Sequence, residues 1–399
     1  MLAVEDALQI VLRNCRPLVQ VQTAISSAAL GRILAEDVAS DLDMPPFDKA
    51  LMDGYAVRAS DLTGASVCLP VAAEVMAGQA PPSLPPGRAI RIMTGAPIPP
   101  GADAVVRVEQ TSLGADGSVQ IAPPYPQAGQ FILQRGREMQ RGDIALQAGA
   151  VLHPQELGLL ASVGRATAKL IPAPSLSILA TGDELVEADQ TPGPSQLRNS
   201  NGPMLMAQAT RAGAVPRCLG IAPDRPDVLR SRVAEGLESH ILALSGGVSM
   251  GKLDLVPGVL QELGVQPHFQ QIAMKPGKPL FFGTRGETLV FGLPGNPVSS
   301  FCCFELFVRP AIRLLGGHSQ SGPNWQQAQL SEEFRYRTDR PTYHPAWLEN
   351  TDGVNTVRPV QWFGSPDLRA LAKANALMLL PPGDHVHQAG KLMPVLALE

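Results

Sequence analysis

Two hydrophobic rhythms divide the chain. Apolar residues at Leu2, Leu8, Ile10, Val11 and Leu12 predict an amphipathic helix over 2–14, and a second short helix is expected over 27–34. Asp43-Met-Pro-Pro-Phe-Asp48 breaks that pattern, because consecutive prolines exclude a helix. From Asp53 to about Gly149, short β-like runs alternate with turns: 56–58, 89–93, 104–109 and 118–121. Such spacing predicts a small β-rich domain. A short apolar helix follows over 155–163, and Pro172 and Pro174 mark a boundary.

Beyond that boundary, strands and helices alternate. A strand over 177–180 precedes a helix over 203–212, and an extended run over 214–221 leads to a helix that Pro226 opens in its first turn. Ile241-Leu-Ala-Leu244 and Leu289-Val-Phe-Gly292 are short, wholly apolar and bounded by loop residues, as buried parallel strands are. Asn296-Pro297 opens a last helix running to Leu315. Repeated β-α units imply a three-layer α/β domain with a mainly parallel sheet. After a linker over 316–323, the remaining residues are β-rich and predict a small barrel.

Composition narrows the function classes. The chain has 399 residues, too many for one ordinary core. Its formal net charge is -4 without long runs of either sign, and aromatics are 5%. Neither nucleic acid nor an anionic membrane is an expected partner. No apolar run approaches the roughly 20 residues needed to cross a bilayer, and the N-terminus lacks a basic region like that of a signal peptide. The 5 cysteines have no metal-ligand spacing, adjacent Cys302 and Cys303 read as core, and a reducing cytoplasm is expected. His385-Val-His387 reads as surface, and no histidine pairs with a serine or cysteine in a nucleophilic arrangement.

The candidate chemistry lies in three glycine-rich loops: Ser245-Gly-Gly-Val-Ser-Met-Gly251 with Asp254, Lys275-Pro-Gly-Lys-Pro279, and Leu293-Pro-Gly-Asn-Pro-Val-Ser299. In an open α/β sheet, ligands bind beyond the carboxyl ends of the strands, where glycine N–H groups form anion-binding concavities. Gly246, Gly247, Lys275 and Lys278 suit phosphate, Pro294 and Pro297 stiffen the third loop, and Ser249 and Ser299 are hydrogen-bond donors or helix caps. The helix start after Pro297 offers free N–H groups to an anion. Glu184, Asp224 and Asp254 follow strands of this domain; together they suit Mg²⁺, although Asp254 equally suits a helix N-terminus. Asp53-Gly-Tyr-Ala56, Arg91-Ile-Met-Thr-Gly-Ala-Pro97 and Arg135-Gly-Arg-Glu138 lie outside that domain, and each also passes as turn chemistry.

In this order, the motifs resemble the molybdopterin molybdenumtransferase family, the bacterial MoeA proteins and the E domain of gephyrin. The resemblance covers essentially the whole chain. It implies an N-terminal domain from 1–41 and 140–171, an inserted β-rich domain at 42–139, a molybdopterin-binding α/β domain at 172–318, and a C-terminal β-barrel at 319–399. It further implies a homodimer, with possible contacts to other proteins of molybdenum cofactor biosynthesis. The implied reaction joins adenylylated molybdopterin and molybdate, releases AMP and needs Mg²⁺. Asp53 and Thr94 match positions that reach the active site of the other subunit. Glu184, Asp224 and Asp254 match carboxylates of the α/β domain, with Glu138 a further acidic position, and Ser365 matches a contact from the last domain. The chain departs from the family pattern twice. Lys49-Ala50 replaces the usual Asn-Ser, and Gly136-Arg-Glu138 replaces Gly-Glu-Asp.

Adenylyl transfer to molybdopterin and a noncatalytic dimeric scaffold are the alternatives. A tungstate preference would leave no readable mark.

Overall fold

The computed structural model describes residues 1–247 and 255–398. It divides into two compact units, one of residues 1–23, 29–35 and 169–399, the other of 24–28 and 36–168.

The larger unit is built on a six-stranded sheet in the order Val215–Ala222, Ser175–Thr181, Ile241–Ser245, Thr288–Leu293, Phe281–Arg285, Gln266–Phe269. The first four strands are parallel to one another, and each of the last two is antiparallel to the strand before it. Side chains of a strand alternate between faces. Ile241 and Ala243 therefore enter one core with Leu176, Phe291 and the helix Asn201–Arg211. Leu242 and Leu244 enter the other, with the helices Pro226–Gly236 and Val256–Glu262. This is the expected three-layer arrangement, with Pro226 in the first turn of its helix.

Three expectations about helices need correction. The N-terminal helix is Val4–Arg13, and its buried face is Val4, Ala7 and Val11 rather than the leucines. Over 27–34 only a 3₁₀ turn, Ser27–Ala29, forms. Gly31 has φ +75°, and the next residues are drawn into extended pairing, with Leu34 bridged to Leu170 and Ile171 N–H donating to the Ile33 carbonyl at 2.9 Å. The last helix is not uniform, because a π-helical turn, Phe304–Val308, separates Pro297–Cys303 from Arg309–Leu315. Pro310 supplies the cause: it lacks an N–H, and its ring would press on the Leu306 carbonyl in a regular α-helix.

That wide turn holds Glu305, which is buried. Its Oε1 accepts from Arg211 Nη2 and Gln208 Nε2, each at 2.7 Å, and Arg309 lies 3.8 Å from Oε2. The adjacent Cys303 is fully buried, and burial pushes its thiol well up. The predicted barrel is present and closed, in the order Trp325–Leu330, Val354–Pro359, Thr342–Thr351, Ala376–Leu380, Leu392–Ala397. A separate ribbon pairs Phe334–Thr338 with Gly383–His387. Here His387 is buried rather than on the surface, 3.2 Å from Lys391 Nζ.

The smaller unit holds the expected β-rich sheet, ordered Ala104–Arg107, Gly54–Val57, Ala89–Ile92, Val67–Val75, Ser118–Ile121, Thr111–Leu113. Gly54 is required where it stands, because a Cβ there would overlap the Val106 carbonyl of the neighbouring strand. The helix Pro154–Ser162 also belongs to this unit, and Glu156 accepts from the His153 N–H at its start. Among the described residues, no helix is long and apolar enough to cross a membrane.

Removing one partner of a buried ion pair leaves the other desolvated and uncompensated. Arg211→Ala is expected to cost about 3 kcal/mol, the low end for such losses, because Gln208 and Arg309 remain beside Glu305. Adding Glu305→Gln to that variant should recover much of the loss. Urea unfolding of wild type, single and double variants checks both expectations.

Candidate active site

The parallel strands Ile241–Ser245 and Thr288–Leu293 run in register, with Ser245 opposite Leu293. Both glycine loops therefore leave the sheet at the same level. Gly246 N–H extends the pairing by donating to the Leu293 carbonyl at 3.1 Å. Gly246 and Gly247 have φ of +95° and +63°. A Cβ on Gly246 would lie 2.6 Å from the Thr181 carbonyl oxygen, and one on Gly247 would lie 2.7 Å from Thr181 Oγ1. No other residue fits both the backbone angle and the space.

Asn201 fastens the two loops together. Its side-chain nitrogen donates to Ser245 Oγ at 2.7 Å and to the Gly295 carbonyl at 2.8 Å. Neighbouring Asn199 accepts from the Gly202 N–H at 2.9 Å, which secures the start of that helix. Asn201 Oδ1 and Thr181 Oγ1 are buried without a hydrogen-bond partner among the described residues. Polar atoms in that state favour a ligand or water that supplies the missing bonds.

The candidate residues fall into several groups. Glu184 and Asp224 are exposed beyond neighbouring strands, and the Asp224 N–H donates to Asp183 Oδ1 at 3.0 Å. Asp183 thus joins the two loops, a role that sequence reasoning missed although the residue stands in the quoted Thr181-Gly-Asp-Glu184. Ser249 and Asp254 lie outside the described residues. Among the described residues, no three His, Cys, Asp or Glu side chains cluster as a metal site.

Lys275 and Lys278 diverge. Lys275 Nζ sits 5.6 Å from the centroid of the Tyr336 ring, and its backbone pairs with Pro341 and Tyr343 of the barrel region. Buried His344, close enough to feel that charge, is pushed down to about 4, mainly by desolvation. Lys278 is exposed. Pro294 is buried, and Pro297 occupies the first turn of its helix. The expected free helix start is partly taken, because the Val298 N–H donates to the Ser365 carbonyl at 3.1 Å. Ser365 therefore meets the third loop through its backbone.

In the smaller unit, Asp53 and Thr94 come together. Asp53 Oδ1 accepts from both the N–H and the hydroxyl of Thr94, each at 2.6 Å. Those bonds, with Arg91 nearby, hold the Asp53 carboxyl below its ordinary value of 3.8. Lys49 and Glu138, the two departures from the family pattern, face each other, with Nζ 3.7 Å from Oε1. Arg135 pairs with Asp43 at 2.7 Å in the same region, and its N–H donates to Asp48.

Because the folded-state carboxyl of Asp53 is depressed, its bonds to Thr94 are fully present above the ordinary carboxylate range. They are lost as pH falls through the lowered value. Thr94→Val removes the hydroxyl donor and keeps the N–H. Asp53 should then titrate at higher pH, closer to 3.8, which carboxyl NMR reads directly.

Comparison with known proteins covers nearly the whole chain. Residues 2–164 match the MoeA N-terminal region (domains I and II), 177–314 a probable molybdopterin-binding domain, and 327–398 the MoeA C-terminal region (domain IV). A molybdopterin molybdenumtransferase of Staphylococcus aureus is 34% identical over 99% of this chain and 95% of its own length. One from Nostoc is 37% identical over 93% of this chain and 87% of its own. The molybdopterin biosynthesis MoeA protein of Pyrococcus horikoshii superposes with a TM-score of 0.80 at 29% identity, covering 100% of this chain and 99% of its own. With relatives this similar over most of their length, the chain belongs to the molybdopterin molybdenumtransferase family.

Proposed function

We propose that this protein transfers molybdenum from molybdate to adenylylated molybdopterin and releases AMP, acting as a homodimer. The observation that carries the reading is the pair of glycine loops fastened by Asn201 at the carboxyl end of the parallel strands. A phosphoanhydride needs a backbone that is held still and can be approached closely; the Gly246 N–H, bonded to Leu293, supplies the hold, and the missing side chains of Gly246 and Gly247 allow the approach. Thr181 Oγ1 and Asn201 Oδ1 add polar atoms without protein partners among the described residues.

The substrates are both anionic, so the protein must offset like charges. Lys278 offers an exposed ammonium for this purpose, while Lys275 is steadied against Tyr336. Glu184 and Asp224 follow neighbouring strands, with the Asp224 N–H on Asp183, and their carboxylate oxygens would suit Mg²⁺, a cation that keeps several waters and takes one or two carboxylates. Bound there, Mg²⁺ would neutralise charge on the phosphates and ease departure of AMP. Glu138 is left out of this set because Lys49 is its partner. Asp53, kept ionised by Thr94, is a fixed negative group able to accept a proton or orient a donor. The dithiolene sulfurs of the ligand take the metal, so no protein nucleophile is required.

Purified protein supplied with adenylylated molybdopterin, molybdate and Mg²⁺ should release AMP. Glu184→Ala and Asp53→Ala should each lower that rate by about 100-fold or more, the scale of losing one electrostatic group at a reacting centre. Folding and dimer mass, followed by circular dichroism and light scattering, should not change. AMP formed only from ATP with unadenylylated pterin would favour the adenylyltransferase reading. Full activity in both variants would exclude these residues from the reaction.

A further inference from the structure

On the C-terminal barrel, a cavity of 710 Å³ lies among residues with no role in the loops above. Its charged lining is one-sided: Arg358, Arg369 and Lys373 face a single carboxylate, Asp367. That carboxylate is already committed. It accepts from the Phe363 N–H at 3.0 Å and from the Ala370 N–H at 3.1 Å. Among the described residues, none of the three cations forms an ion pair. Three like charges around one cavity repel each other, and an anion placed between them relieves that repulsion.

The same cavity offers two aromatic surfaces. Trp347 stands opposite Arg358 on adjacent antiparallel strands, with the guanidinium 6.0 Å from its ring centroid. Phe363 is 81% exposed, yet it sits on a loop whose backbone Asp367 holds in place. A large ring left in water on an anchored loop gains by being covered. Flat π-systems stack on such rings, and cations beside them bind phosphate. An inorganic anion would leave the rings bare, and an apolar molecule would leave the charges unpaired. The volume falls in the range of small-molecule sites, about 300–1,000 Å³.

We infer that this cavity binds a planar nitrogen heterocycle bearing a phosphate, with its ring against Trp347 and Phe363 and its phosphate among Arg358, Arg369 and Lys373. The inference rests on the proposed function, whose chemistry supplies two ligands of this class, AMP and a pterin phosphate. The rim is also tied to the site, because Ser365, between Phe363 and Asp367, accepts from Val298 at the end of the third glycine loop.

Isothermal titration of the full chain with AMP, a pterin monophosphate, adenosine and inorganic phosphate tests this. One of the two phosphorylated heterocycles should bind at least about tenfold more tightly than adenosine or inorganic phosphate, and the tighter of the two identifies the source. Phe363→Ala and the pair Arg369→Gln with Lys373→Gln should each weaken that binding at least about fivefold, the lower end of what one stacked base contributes. Circular dichroism should show these surface variants folded. Unchanged affinity and stoichiometry in both variants, or equal binding of inorganic phosphate and the heterocycles, would overturn the inference. The AMP-release assay separates the two readings. A wild-type protein that releases no AMP defeats the proposed function, whereas normal release combined with unaltered ligand binding in the variants defeats the cavity alone.

Discussion

The parallel register between Ile241–Ser245 and Thr288–Leu293 is the constraint on which the site depends. Each strand is apolar on both faces because each face is covered by helices, and that burial fixes which residue ends the pairing. Ser245 and Leu293 end it together, so the first and third loops emerge side by side rather than staggered. Only then can one asparagine side chain span from Ser245 to Gly295. A slip of one residue would exchange the side chains of one core for those of the other and separate the loops by a residue's rise, beyond the reach of Asn201.

Much of this was legible in the sequence where local rules suffice. The apolar runs at 241–244 and 289–292 lie inside strands of the sheet, Pro226 opens its helix, and the final segment closes into a barrel. What escaped depends on partners distant in sequence. Asn-Ser-Asn-Gly reads as a helix start, but nothing local says that Asn201 reaches Ser245 and Gly295. Lys275 and Lys278 look equivalent in Lys-Pro-Gly-Lys until Tyr336 draws one of them aside. The π-turn has a local cause in Pro310, yet a helix-period reading passes over it because the apolar pattern continues unbroken on either side.

The acidic candidates divide along the same line. Sequence spacing groups Glu184 and Asp224 by their place after strands, and the structure adds Asp183, whose carboxylate accepts from the Asp224 N–H and so ties the two loops. Asp53 and Thr94 belong to motifs 41 residues apart, and their contact arises because the strands Gly54–Val57 and Ala89–Ile92 are antiparallel neighbours. Each strand end carries one member of the pair. An exposed carboxylate, ordinarily free to rotate, is thereby given a single orientation.

The facing of Lys49 and Glu138 bears on how the β-rich segment could be moved between chains. The two positions lie far apart along the chain, yet their side chains meet across the fold. The Lys49 ammonium meets the Glu138 carboxylate, so in this chain the two positions act on each other directly. Lys49 would still meet a carboxylate if a shorter aspartate stood at 138, but the shorter side chain would widen a separation that is already 3.7 Å. Grafting this β-rich segment onto another chain would therefore keep the pair only where both positions fall within the same breakpoints.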